Sequence, residues 1–243
     1  MSSKRLNAHV YQTYTSLRAG MGVIAFLLPI VLFYGGKASD THLQGSFCAY
    51  YHTPMRNFFV GILFALGAFL YLYKGFSRKE DYALNMAGVL AVLVAVVPMD
   101  GPSDPPVPRS PTAQWHNVFS ALFLLTVAYV CIFRSADTLP LIESRTRANF
   151  YYYAYKLIGV CIAVAPVVVY ILAHRHQRAI PPDKKTSIFV AETVTIWTFS
   201  LYWLLKTKEI TDNQGDQGKE IDEVEVARPI RPVAMPVAKP LDL

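Results

Sequence analysis

The chain has 243 residues, of which 53% are hydrophobic and only 16% are charged, and its formal net charge is +6. Soluble globular domains carry about 25% charged residues, so this composition excludes an ordinary soluble enzyme, a nucleic-acid-binding domain and a disordered chain. The excess of lysine and arginine is typical of segments that flank membrane spans and meet lipid headgroups. We therefore expect no nucleic-acid partner.

The chain opens with a short polar segment. It contains Lys4, Arg5 and Arg18 but no small-residue cleavage site, which favours a signal anchor that stays in the membrane over a cleaved signal peptide. We expect residues 1–18 to form a cytoplasmic N-terminal segment.

Six apolar runs follow, and together they contain a single charged side chain, that of Glu192. With their interfacial flanks, all six provide the about 20 residues that a helix needs to cross a bilayer. None of them alternates as the strands of a β-barrel do. The sequence thus predicts an all-α fold, a polytopic integral membrane bundle of six transmembrane helices over residues 19–206. The runs are residues 19–36, 57–73, 82–99, 115–133, 157–173 and 186–205.

The composition changes after the last run. From residue 207 the chain is acidic and polar and then proline-rich, which predicts a disordered cytoplasmic tail over residues 207–243. Lysine and arginine are more frequent in the segments that share a side with both termini. By the positive-inside rule, we expect both termini to face the cytoplasm.

Glu192 is the only acid inside a run, and at about 1.5 Å of rise per residue it lies about 10 Å below the outer surface. An unpaired carboxylate there is costly, so it should face the bundle interior and pair, protonate or bind a ligand. In this topology four other polar residues lie at the same outer end: His52, Arg56, Asp100 and His116. Arg56 can equally anchor a helix end, and a Glu192–Arg56 or Glu192–His116 pair can equally fix helix packing.

The chain contains no GxSxG, HExxH, Walker or GxGxxG motif, so we assign no catalytic residue, no metal ligand and no cofactor. Zinc requires about three converging His, Cys or carboxylate ligands. Here such ligands could come only from separate elements, namely His52, Asp100, His116, His174 and Glu192. A transporter with a proton-coupled Glu192 is a further interpretation.

Several short segments carry a family resemblance. Residues 50–57 (YYHTPMRN), 97–100 (VPMD), 115–117 (WHN) and the last span over 189–206 resemble bacterial six-span membrane proteins of unknown function. Their layout is similar to that of the DRAM/Frag/Sfk class. The resemblance implies an integral protein of the plasma (cytoplasmic) membrane whose biochemical activity is unassigned.

Two functional hypotheses follow. The first is a membrane protein without catalysis that binds membrane lipids or another membrane protein in an outer-leaflet polar pocket. The alternative is an intramembrane metal-dependent lipid hydrolase distantly similar to alkaline ceramidases, for which zinc would be the cofactor. Ser46 and His52 are similar to the opening of that pattern, but its later His-x3-His motif and its seventh span are absent.

Overall fold

The structure, a computed structural model, describes residues 3–101, 110–179 and 186–227, without the side chains of residues 3–8, 10–11, 173–179 and 213–227. Over these residues the chain is all-α and has no strand, which confirms the all-α part of the predicted fold. Six long helices are present, and each overlaps one of the six apolar runs. They are α1 (Ser3–Ala38), α2 (Arg56–Leu72), α3 (Arg78–Val96), α4 (Pro111–Tyr129), α5 (Arg145–Ala179) and α6 (Thr186–Ala227).

The helices form a closed ring. Each packs against its neighbours in sequence, and α1 completes the ring by packing against α6. Short helical segments occupy two of the connections: a 3₁₀ turn at Cys48–His52 before α2, and a π turn at Val130–Arg134 that continues into a 3₁₀ helix at Ser135–Leu141 before α5. Connections between consecutive helices therefore alternate between the two ends of the bundle.

Small residues allow two helix pairs to approach closely. A Cβ atom at Gly67 of α2 would lie 2.8 Å from the Gly88 carbonyl oxygen of α3, and one at Gly88 would lie 2.6 Å from the Gly67 oxygen. At Gly22 of α1, the Ser200 hydroxyl of α6 donates to the backbone oxygen over 2.7 Å. Close backbone approach at small residues and interhelical hydrogen bonds are typical of packed membrane helices.

Inward-facing residues recur at spacings of three and four along the helices, which is the pattern of left-handed helix bundles. The middle of each stripe is apolar, and polar residues occur towards the ends. Two of these stripes are used below. They are Ala113, His116, Ser120, Phe123 and Val127 in α4, and Phe189, Glu192, Ile196, Phe199, Trp203 and Lys206 in α6.

The outer surface of the ring is apolar. Four segments are long and apolar enough to cross a membrane: Gln12–Ala38, Pro111–Leu141, Arg145–Leu172 and Thr186–Asp212. Helix α2 has 17 residues, and α3 has 19 but begins with four charged side chains. Both nevertheless expose large apolar side chains outward, including Phe58, Leu72 and Met86.

Residues 207–212, where the composition predicts the start of a disordered tail, belong to helix α6 in the structure. Helix α6 continues to Ala227 without a break at that boundary. Glu209 is fully buried, and Asp212 accepts a hydrogen bond from Tyr151 over 2.9 Å. Contacts with α5 and with the α4–α5 connection hold this polar stretch against the bundle. Residues 228–243 of the predicted tail lie outside the described residues.

Candidate functional site at the Glu192 end of the bundle

The two ends of the bundle carry different polar groups. We call the end with the α1–α2 loop, the α3–α4 connection and the start of α6 the Glu192 end. The opposite end, with the first turns of α1, the α2–α3 turn and the α4–α5 connection, is the Lys206 end. All five polar residues selected from the sequence lie at the Glu192 end.

Glu192 holds the loop between α1 and α2. Its Oε2 atom accepts a hydrogen bond from the Phe47 backbone N–H over 2.6 Å. Neither predicted pair is present within the described residues, because Arg56 and His116 make other contacts. The carboxylate therefore satisfies a backbone donor of the loop instead of pairing with a side chain.

The loop enters the end of the ring at residues 46–50, which we call the plug. Phe47 and Tyr50 are buried, and their ring centroids lie 5.0 and 6.2 Å from that of Phe189 in α6. Between them, burial raises the pKa of the Cys48 thiol well above its usual range, and the negative charge of Glu192 adds to the shift. The plug is thus an apolar segment whose Phe47 N–H is hydrogen-bonded to the Glu192 carboxylate of α6.

Three of the selected residues organise the chain between α3 and α4. His116 Nδ1 bonds the Val97 oxygen over 2.5 Å, and His52 Nε2 bonds the Met99 oxygen over 2.7 Å. Asp100 accepts from the Ser110 hydroxyl over 2.5 Å and from the Ser110 N–H over 2.9 Å, next to the start of α4. These hydrogen bonds hold residues 97–100 against α4, the α1–α2 loop and the residue that precedes α4.

Four of the five residues of the zinc alternative do not converge, and the side chain of the fifth, His174, lies outside the described residues. Within the described residues, no group of three or more His, Cys, Asp or Glu side chains could hold a metal ion. His52, Asp100 and His116 bond separate backbone or side-chain groups, and Glu192 bonds the plug. The geometry therefore gives the hydrolase interpretation no support.

Arg56 lies in a groove on the outside of the ring. Its guanidinium donates to the Tyr51 hydroxyl over 2.6 Å and lies 4.2 Å from the centre of that ring. The groove has a volume of about 300 Å³. Its walls combine three polar and three apolar residues from the α1–α2 loop, α2 and α3: Tyr51, Arg56, Asn57, Val60, Ala95 and Val96.

A second groove lies at the Lys206 end between α1 and α2. It is larger, about 410 Å³, and it is lined by His9, Gln12, Thr13, Ser16, Leu17 and Phe69. None of these side chains carries a formal charge when histidine is neutral. Of these two grooves, only the groove of Arg56 places a cation next to an apolar wall.

The sequence analysis missed a buried ion pair at the Lys206 end. Lys206 is 1% exposed and Glu209 is fully buried. The Lys206 ammonium donates to Glu209 Oε2 over 2.8 Å, to the Ser135 carbonyl oxygen over 2.9 Å and to Thr138 Oγ1 over 2.6 Å. All three donors of the ammonium thus have acceptors.

Further hydroxyl groups complete this cluster. Tyr155 donates to Glu209 Oε2 over 2.5 Å, and Thr138 donates to Glu209 Oε1. Ser135 donates to the Val130 oxygen over 3.0 Å and accepts from Tyr202 over 2.8 Å. The cluster joins α5, α6 and the α4–α5 connection.

Two more charges lie at the same end. Arg18 donates to the Tyr73 hydroxyl, over 2.9 Å from Nε. Glu80 is 2% exposed and faces the positive charges of Lys206 and Arg18. The buried charges therefore balance.

Local signals for these contacts are present in the sequence. Ser77 and Glu80 form a capping box, in which Ser77 accepts from the Glu80 N–H and Glu80 reaches back to the Phe76 N–H. Lys206 and Glu209 are three residues apart on one helix face. Tyr151 and Tyr155 are four apart and buried, whereas the neighbouring Tyr153 is 69% exposed, so this tyrosine run is only partly an interfacial belt.

Comparisons with known proteins add no family. No family model matches the chain, and neither a curated protein nor a solved structure matches it significantly.

Proposed function

We propose that the protein is a six-span integral membrane protein that binds an anionic phospholipid in the groove of Arg56. The single observation that carries this proposal is the groove itself, in which a guanidinium, an amide and a phenol lie beside Val60, Ala95 and Val96. Arginine is well suited to phosphate oxygens because its planar donors bind them in pairs. The apolar wall suits the first carbons of an acyl chain.

The apolar outer surface supports six spans rather than four. Helices α2 and α3 expose Phe58, Leu72, Tyr82 and Met86, and soluble proteins rarely expose such contiguous apolar surface. Both helices are complete members of the ring, so a bilayer that surrounds the other four surrounds them too. With both termini cytoplasmic, the groove faces the outer leaflet of the plasma membrane.

The proposal is tested by native mass spectrometry of the protein in mild detergent with added phosphatidylglycerol or phosphatidylcholine. Wild type should retain phosphatidylglycerol preferentially. Arg56→Gln should reduce its retention about tenfold, because it removes the charge-assisted pair of hydrogen bonds. Lys37→Gln is the matched control, since Lys37 is an exposed cation at the same end but outside the groove.

The outcomes separate clearly. Equal retention of phosphatidylglycerol by wild type and Arg56→Gln would overturn the proposal. Equal losses in Arg56→Gln and Lys37→Gln would show that net charge, and not the groove, attracts the lipid.

A further inference from the structure

Two buried polar atoms on α4 lack a hydrogen-bond partner among the described residues. They are His116 Nε2 and Ser120 Oγ. His116 is 2% exposed, and the two residues are one helical turn apart on the inward stripe of α4. Other buried atoms without a partner are single on their elements: Thr15 Oγ1 in α1, Asn85 Oδ1 in α3, Arg134 Nε in the π turn and Trp203 Nε1 in α6.

The tautomer of His116 determines whether its Nε2 atom donates or accepts a hydrogen bond. The Val97 oxygen can only accept, so the hydrogen bond from Nδ1 requires the proton to be on Nδ1. In the neutral ring, Nε2 then carries a lone pair and accepts. Ser120 can donate or accept. A hydroxyl group satisfies both atoms, because it donates to Nε2 and accepts from the Ser120 hydroxyl.

An aromatic contact between α4 and α6 serves as a reference for the depth of the pair in the bundle. The rings of Phe123 and Phe199 lie 6.3 Å apart. Both helices run from the Glu192 end to the Lys206 end, and both His116 and Glu192 precede that contact by seven residues. At 1.5 Å per residue, each lies about 10 Å from it along the helix. His116 and Glu192 are therefore at the same depth.

The plug lies at this depth as well. Phe119, between His116 and Ser120 in sequence, packs against the apolar cluster that contains Phe47 and Tyr50. The hydrogen bond from Phe47 to Glu192 fastens that cluster to α6. The packing of Phe119 against this cluster brings apolar side chains next to the pair, and this favours a hydroxyl carried on a hydrocarbon body.

We propose that His116 Nε2 and Ser120 Oγ form an internal binding site for the hydroxyl group of a neutral lipid alcohol, which the plug closes while Glu192 holds Phe47. This site is inside the ring and does not depend on the Arg56 groove. Binding requires the plug to open, and loss of the Glu192 hydrogen bond opens it.

The test uses diethyl pyrocarbonate, which acylates an unprotonated imidazole nitrogen, on the full chain in detergent. Modification of each histidine is followed by peptide mass spectrometry, and the rate at His116 is divided by that at the exposed His42. Wild type should give a low ratio. Glu192→Ala should raise it about tenfold or more, as expected when a hydrogen bond to a charged acceptor is lost.

Glu192→Gln is the matched variant, because its amide oxygen can still accept the Phe47 N–H, and its ratio should stay near that of wild type. If Glu192→Ala does not fold, Phe47→Pro serves instead. Phe47 has φ −61°, which proline adopts without strain, and proline has no N–H to donate. Phe47→Pro should likewise raise the ratio.

Ligand binding is tested in the opened variant with two probes that share an oleoyl chain. Monoolein, with free hydroxyl groups, should slow the reaction of His116, whereas methyl oleate should not. Ser120→Ala should weaken the protection by monoolein. Equal protection by both probes, no protection by monoolein, or a wild-type ratio as high as that of Glu192→Ala would overturn the proposal. Loss of phosphatidylglycerol binding in Arg56→Gln leaves these ratios unchanged.

Discussion

At the Lys206 end, all three donors of a buried ammonium meet acceptors within the chain, whereas at the Glu192 end His116 Nε2 and Ser120 Oγ meet none among the described residues. Both ends bury polar side chains on the same kind of inward stripe. The Lys206 end uses them to join α5, α6 and a connection. The Glu192 end uses them to hold two loops, and two hydrogen-bonding atoms, His116 Nε2 and Ser120 Oγ, have no partner among the described residues.

This difference indicates a division of roles. A polar network that satisfies itself in a low-dielectric interior stabilises one arrangement and has little capacity for a ligand. Buried polar atoms that have no partner within the chain are stabilised when a bound molecule supplies the missing hydrogen bond. Four other buried atoms without a partner lie on separate elements towards the Lys206 end: Thr15 Oγ1, Asn85 Oδ1, Arg134 Nε and Trp203 Nε1. The difference therefore concerns the Lys206–Glu209 cluster, which stabilises the ring, and the His116–Ser120 pair, which presents its binding groups.

The largest expected effect is at Lys206. Lys206→Met leaves the Glu209 carboxylate buried without its cation, so the free energy of unfolding should fall by about 3–5 kcal/mol. Lys206→Met with Glu209→Gln should lose less than the single variant, because no charge is left buried and the amide oxygen still accepts from one of the two hydroxyl groups, that of Tyr155 or that of Thr138. Denaturant unfolding in one fixed detergent measures both. A double variant that is less stable than the single would contradict the buried pair.

A smaller effect is expected at Tyr155. Tyr155→Phe removes one hydrogen bond to the Glu209 carboxylate, which should cost about 1.5–3 kcal/mol of unfolding free energy. Tyr153→Phe is the matched control. Tyr153 is 69% exposed, and its replacement should change stability by less than about 0.5 kcal/mol. Equal effects at the two tyrosines would remove the basis for treating the Lys206 end as a closed network.

The smallest effect is expected at the Glu192 end. His52→Ala removes one hydrogen bond from an exposed side chain to the Met99 oxygen, so the unfolding free energy should fall by only about 0.5–1 kcal/mol. His42→Ala, at another exposed histidine of the same loop, should have no measurable effect. A loss at His52 as large as that at Lys206 would show that both ends stabilise the ring equally.

The helices were predictable because hydrophobic runs are a local property of the sequence. Each of the six runs overlaps a helix, and the five polar residues selected from the sequence all lie at one end. Their contacts were not predictable. The sequence leaves Glu192 three options, to pair, protonate or bind a ligand. In the structure its partner is the backbone N–H of Phe47, which any residue except proline would provide. No sequence pattern identifies such a partner.

The Lys206 cluster was missed for a different reason. Lys206 follows the last apolar run, where a lysine is typical of the lipid headgroup region, and Glu209 belongs to a stretch whose composition predicts disorder. Their burial depends on Tyr155 and Thr138, which are 54 and 71 residues from Glu209. Only the closure of the ring brings these side chains together, and a local window does not contain that information.

The most direct test of the difference between the two ends is hydrogen–deuterium exchange of the protein in lipid nanodiscs, compared between residues 46–53 and residues 135–142. Both segments are connections that contain 3₁₀ turns, so their local structure is matched. The account predicts that amides in 135–142, which Lys206 holds, exchange about tenfold or more slowly than those in 46–53, a difference of about 1.4 kcal/mol in opening free energy. Equal exchange, or faster exchange in 135–142, would contradict it.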